Sequence, residues 1–149
     1  MEYEFFAVFN NPVLLPAAAS WFAAQLLKGA VSLIVYRRFD IRRFTGSGGM
    51  PSSHSAMVTA LALSTALNSG FDSPVFGVAV MFAFVVMYDA AGVRRAAGRQ
   101  AKKINEIMEH LLVEGKGITQ EQLKELLGHS PLEVIAGAIL GATVALLFA

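Results

Sequence analysis

Two histidines, His54 and His129, each stand where a long apolar segment begins. Their contexts are Gly48-Gly49-Met50-Pro51-Ser52-Ser53-His54-Ser55 and Gly128-His129-Ser130-Pro131-Leu132-Glu133. Serine and proline start helices, so each imidazole is predicted at a helix mouth. There the backbone N–H groups and the positive end of the dipole favour an anion. With Lys28, Arg94 and Arg95 close to other segment ends, the pattern predicts a site for an anionic group such as phosphate.

Each residue also has a plainer reading. His54 can be a polar residue beside helix caps at an interface. Ser130 is a good N-cap, Pro131 suits the first helical position, and Glu133 completes a capping box. Glu133 also follows His129 by four residues, so it can hold one imidazole N–H while the other nitrogen faces the site. Lys28 lies eight residues before Arg37, about 12 Å inside the charged end of its helix at 1.5 Å per residue. It can snorkel, or it can serve the site. Asp89 can pair with a cation. Arg94 and Arg95 can be anchors at the membrane face, and of two adjacent helical positions at most one faces the bundle squarely. The run Gly46-Ser47-Gly48-Gly49 is too short and misordered for a nucleotide-binding P-loop, yet Gly48 and Gly49 can offer backbone N–H groups to an anion.

The elements that position these groups are apolar. The 149 residues are 55% hydrophobic and 15% charged, with a mean hydropathy of +0.55; a soluble domain has about 25% charged residues. The length allows one domain. Four apolar segments, at about 11–36, 52–69, 73–90 and 131–149, predict an all-α polytopic membrane protein with four transmembrane helices. The second and third are near the short end for a span. A water-soluble bundle is the competing fold, disfavoured because the apolar character runs round the helices. Gly137 and Gly141 at a spacing of four suggest close helix packing.

All 12 lysines and arginines fall at Lys28, between Arg37 and Arg43, or between Arg94 and Lys124. Four spans put both charged segments on one side. The positive-inside rule makes that side cytoplasmic and places both termini outside a cell (inner) membrane. The acidic start, Met-Glu-Tyr-Glu, argues against a cleaved signal peptide. A net charge of +1 predicts no nucleic-acid partner. The absence of cysteine excludes disulfides and thiolate metal sites.

The polar insert at about 91–128 is predicted to be helical. Its first half continues the third helix, with Val93, Ala97, Ala101, Ile104, Met108, Leu111 and Leu112 as an apolar stripe. Glu114–Gly117 breaks it, a capping box at Thr119–Gln122 opens a short second helix, and Gly128 is a plausible C-cap. Such a hairpin would lie on the membrane or over the site; a partner-docking module is the alternative.

At these residues the chain resembles the type 2 phosphatidic acid phosphatase and vanadium haloperoxidase superfamily, and more closely its short, divergent bacterial and plastid branch. The blocks 47–56, 87–95 and 128–141 carry the resemblance, which covers nearly the whole chain. Lys28 looks like the lysine of the first superfamily motif. Pro51-Ser52-Ser53-His54 looks like the second, Pro-Ser-Gly-His. His129 and Glu133 look like the histidine and acid of the third. The chain departs from the pattern in having Val35 and Leu123 where the first and third motifs carry arginine.

The resemblance implies metal-free, cofactor-free hydrolysis of a phosphomonoester. His129 would attack phosphorus, Glu133 would orient it, and protonated His54 would donate to the departing alcohol. Lys28, Arg94 or Arg95, Ser53 and the Gly48–Gly49 backbone would bind the phosphate, with Asp89 in support. A tail lying in lipid fits phosphatidate or a prenyl phosphate as partner in the bilayer, and a homo-oligomer is compatible. Two readings of other classes stand beside it: a non-catalytic protein that binds or moves an anionic lipid, and a structural assembly protein.

Overall fold

The computed structural model describes residues 8–36, 49–113 and 128–149. After a 3-10 turn at Val8–Asn10, the helices are α1 (Leu14–Tyr36), α2 (Ser53–Ser69), α3 (Pro74–Ala91), α4 (Val93–Val113) and α5 (Pro131–Leu147). All regular structure among the described residues is helical, as the apolar segments predict. Gly48, the loop 37–43, the break after Val113 and the proposed cap at 119–122 lie outside the described residues.

Local chemistry sets the helix ends. The Asn11 side chain accepts the N–H of Val13 and of Leu14 before α1. Ser52 caps α2, and Ser73 caps α3 ahead of Pro74. Gly70 closes α2 at φ 90°, a backbone conformation that L side chains rarely adopt. Gly92 interrupts the helix that the sequence predicts as continuous. The ladder nonetheless runs through it: Gly92 N–H donates to Tyr88 O at 2.8 Å and Ala96 N–H to Gly92 O at 2.9 Å.

The interior inverts the usual soluble pattern. Apart from Val58 and Val134, buried positions are mostly small or polar, among them Ala24, Ala56, Ala60 and Ala66, with Ser20, Ser32, Ser53, Ser55, Ser64 and Lys28. Large apolar side chains point outward, among them Phe22, Ile34, Val78, Phe82, Phe84, Ile135 and Leu146. Close backbone packing over small residues, with bulky apolar groups turned to the surroundings, is how helices associate in lipid. Among the described residues, two stretches are long and apolar enough to cross a membrane, Leu14–Ile34 and Pro74–Glu109. α5 is apolar but has 17 residues. α2, also 17 residues, is the most interior helix, packed against α5, α1 and α3.

The α2–α5 contact sets the site. A Cβ on Gly137 would strike the carbonyl oxygen of Ser52, and one on Gly141 the backbone of Ala56. The obstacles are backbone, so neither can move cheaply. Gly141→Val is expected to force the helices apart at a cost of about 1–3 kcal/mol or more, seen as a lowered thermal midpoint in detergent. Gly77→Ala is the contrast. Nothing lies within 4 Å of its new Cβ, so the midpoint should hold or rise, since alanine favours a helix over glycine by up to about 1 kcal/mol.

Candidate active site

Four chain segments converge where α2 and α5 begin. The Ser52 N–H donates to the carbonyl oxygen of Glu133 at 3.0 Å, tying the mouth of α2 to the first turn of α5. The His129 N–H donates to Ala90 O at 2.9 Å, tying the approach to α5 to the end of α3. Lys28 Nζ donates to Ser53 Oγ at 3.2 Å, tying α1 to α2. Each of these bonds also immobilises one of the residues singled out by the sequence or its neighbour.

His129 is 3% exposed. Its Nδ1 lies 3.1 Å from Glu133 Oε2. That oxygen also accepts the Ser130 N–H at 2.9 Å, while Ser130 Oγ accepts the Glu133 N–H at 3.3 Å. One glutamate therefore performs both functions read from the sequence, capping α5 and holding the imidazole. A carboxylate accepts and has no hydrogen to give, so Nδ1 carries the hydrogen and the lone pair sits on Nε2. Burial pushes the His129 pKa below the ordinary histidine value; the Glu133 bond opposes that, and the positive charge of Lys28 reinforces it.

His54 sits in the first turn of α2, partly exposed. Lys28 and Arg94 both act on it electrostatically, and His54 in turn acts on His129. Hydrogen bonds join Lys28 to Ser53, the neighbour of His54 in the chain, and His129 to Glu133, and the charge of Lys28 acts on both histidines. Lys28 is 6% exposed, with the Ser53 hydroxyl as neutral partner and the charge of Glu133 acting on it. Buried cations need such compensation. Ser53, read from the sequence as a phosphate ligand, is here the hydroxyl that receives the lysine. Ser55 Oγ and Ser52 Oγ are 3.0 Å apart beneath it.

Arg94 and Arg95 are both exposed, at the start of α4. Arg94 Nε donates to Asp89 Oδ2 at 2.6 Å. Gly49 is exposed, with φ 89° and open space around it. Among the described residues no group of three or more histidine, cysteine, aspartate or glutamate side chains is arranged to hold a metal.

The contacts at Ser52 N–H, Ala90 O and Gly128 escaped the sequence reading. Gly128 carried a signal: its φ is 89° and a Cβ there would collide with the backbone of Arg94 and Arg95. The glycine directly before His129 thus lets the turn seat on the α3–α4 junction.

The family model described as "Divergent PAP2 family" matches residues 9–144, a stretch that contains every group just described. The chain is 44% identical over 150 residues to the uncharacterized membrane protein YuiD of Bacillus subtilis (strain 168), an alignment covering 94% of this chain and 94% of that protein. No solved structure matches the chain.

Proposed function

As this chain belongs to the divergent PAP2 family, we propose that it is an integral membrane phosphatase that removes the phosphate from a lipid phosphomonoester such as phosphatidate or a prenyl phosphate. The observation that carries the reading is His129: a buried imidazole with one nitrogen on Glu133, beside a second histidine and a buried lysine. A capping box alone does not call for either.

The Nε2 lone pair of neutral His129 attacks phosphorus as the P–O bond to the lipid alcohol breaks. The bonding pair leaves with the alcohol oxygen, which takes the proton from His54, and a phosphohistidine forms. Water then attacks phosphorus, His54 accepts its proton, and the P–N bonding pair returns to His129. Glu133 compensates the positive charge on the imidazole, and Lys28 with a guanidinium from the 94–95 pair stabilises the phosphoryl oxygens. The bulky apolar exterior supports four helices in a bilayer, and the one-sided lysines and arginines support a site at the cytoplasmic face with both termini outside.

Purified full-length protein, in nanodiscs with chelator present, is expected to release inorganic phosphate from phosphatidate or prenyl phosphate faster than from a soluble sugar phosphate. The pH profile follows from the nucleophile. Protonation of His129 quenches the lone pair, so kcat/KM falls as pH drops through its folded pKa. That pKa is lowered by burial, so this acid limb belongs below the ordinary histidine value of about 6.5. No phosphate release from any lipid substrate would sink the enzyme reading. The second reading, binding or transport of an anionic lipid without turnover, draws on Val35 and Leu123 at the two superfamily arginine positions. Retained lipid phosphate binding without hydrolysis would select it.

A further inference from the structure

We propose that Arg94, held from behind by Asp89, supplies the guanidinium of this site, and that Asp89 is its positioning residue. Arg94 and Lys28 then grip a phosphoryl group from opposite helices, beside His54. For the identity of the anion the inference rests on the phosphatase reading.

The backbone places Arg94. His129 donates its N–H to Ala90 O at 2.9 Å. A side chain on Gly128 would run into the backbone of Arg94 and Arg95. The 128–129 turn is thus pinned against the α3–α4 junction at both 90 and 94–95, which brings that junction to the nucleophile. Within it, Asp89 and Arg94 bracket the interruption at Gly92 and meet across it: Arg94 Nε donates to Asp89 Oδ2 at 2.6 Å.

A guanidinium carries five N–H donors, one of them on Nε. Binding Asp89 through Nε leaves the four terminal donors outside that bond, in the planar fork that matches two phosphoryl oxygens. The ion pair is poorly explained as fold stabilisation. Its side chains are 50% and 36% exposed, and pairs that exposed contribute little. Arg95, about 100° further round the helix, does not share this geometry. The Arg94 charge also reaches His54, as does that of Lys28.

The test uses full-length protein in nanodiscs and two ligands, inorganic phosphate and dioctanoyl phosphatidate. Affinity is read by calorimetry, turnover by phosphate release, and the fold by thermal midpoint. Arg94→Ala and Arg94→Lys are expected to weaken phosphoryl binding roughly ten- to hundredfold and severalfold respectively, the range of a charge-assisted hydrogen bond, with the midpoint little changed. The loss in Arg94→Ala should exceed that in Arg95→Ala. Asp89→Asn should weaken binding about three- to tenfold in the wild-type background but less than twofold in Arg94→Ala, because it acts through the arginine. Equal losses in both ligand arms support a phosphoryl clamp, and the tighter wild-type ligand distinguishes lipid phosphate from free phosphate as its source. Arg94 variants within twofold of wild type, or a larger loss from Arg95→Ala, overturn the clamp. An additive Asp89 effect overturns the positioning role. Arg94-dependent phosphate binding without lipid turnover would sink the phosphatase reading and keep the clamp. Lipid turnover with unchanged KM and kcat in Arg94→Ala would do the reverse.

Discussion

His129→Ala is expected to abolish lipid phosphate turnover together with any acid-labile phosphoenzyme. The side chain is 3% exposed, its backbone N–H is bound to Ala90 and its Nδ1 lies on Glu133, so the imidazole is fixed in place with Nε2 as its one remaining ring nitrogen. Trapping the intermediate with labelled substrate and acid quench reads the step directly. Unchanged turnover in His129→Ala would end the phosphohistidine mechanism. Glu133→Gln separates the two functions of the glutamate. A glutamine completes a capping box as a glutamate does, so the Ser130 cap and the thermal midpoint should survive. The neutral amide cannot compensate the charge that develops on the imidazole. The expected loss is on the order of 10²–10⁴-fold, the upper end being what a carboxylate-to-amide change costs behind the catalytic imidazole of a serine protease. Full activity in this variant would mean that capping is its whole contribution.

What was legible in the sequence was local. Ser52, Ser73 and Ser130 announce α2, α3 and α5 because a cap acts within three residues of itself, and Pro74 and Pro131 sharpen two of these starts. The Glu133 contact with His129 was legible for the same reason, since residues four apart share a helix face. The role of Ser53 was not. Its partner is Lys28, 25 residues away, and nothing in the spacing says that the serine receives the lysine. Nor does composition identify α2 as the hub. Its serines, threonines and alanines make it read as a weak span, yet small and polar side chains are what let three helices close on it. The interruption at Gly92 escaped for a related reason. A glycine inside an apolar periodic run is compatible with an unbroken helix, and the contact between the 128–129 turn and the junction beyond it lies more than 30 residues further along the chain.

His54→Ala carries the other large effect, and its size should depend on the substrate. The lipid alcohol is a poor leaving group that needs a proton as the P–O bond breaks. General acid catalysis is worth about 10²–10⁴-fold, so phosphatidate hydrolysis should fall by that order. An activated aryl phosphate departs as a stabilised phenolate and needs little proton transfer, so its rate should fall far less. Loss of a mere structural contact would slow both substrates alike, since each needs the same nucleophile and the same phosphoryl site. The position of His54 makes the test worthwhile: it lies at the mouth of α2, partly exposed, next in the chain to the Ser53 hydroxyl that receives Lys28. Parallel losses on phosphatidate and the aryl ester, at unchanged thermal midpoint, would rule out general acid catalysis by His54 and leave it a phosphate-binding residue.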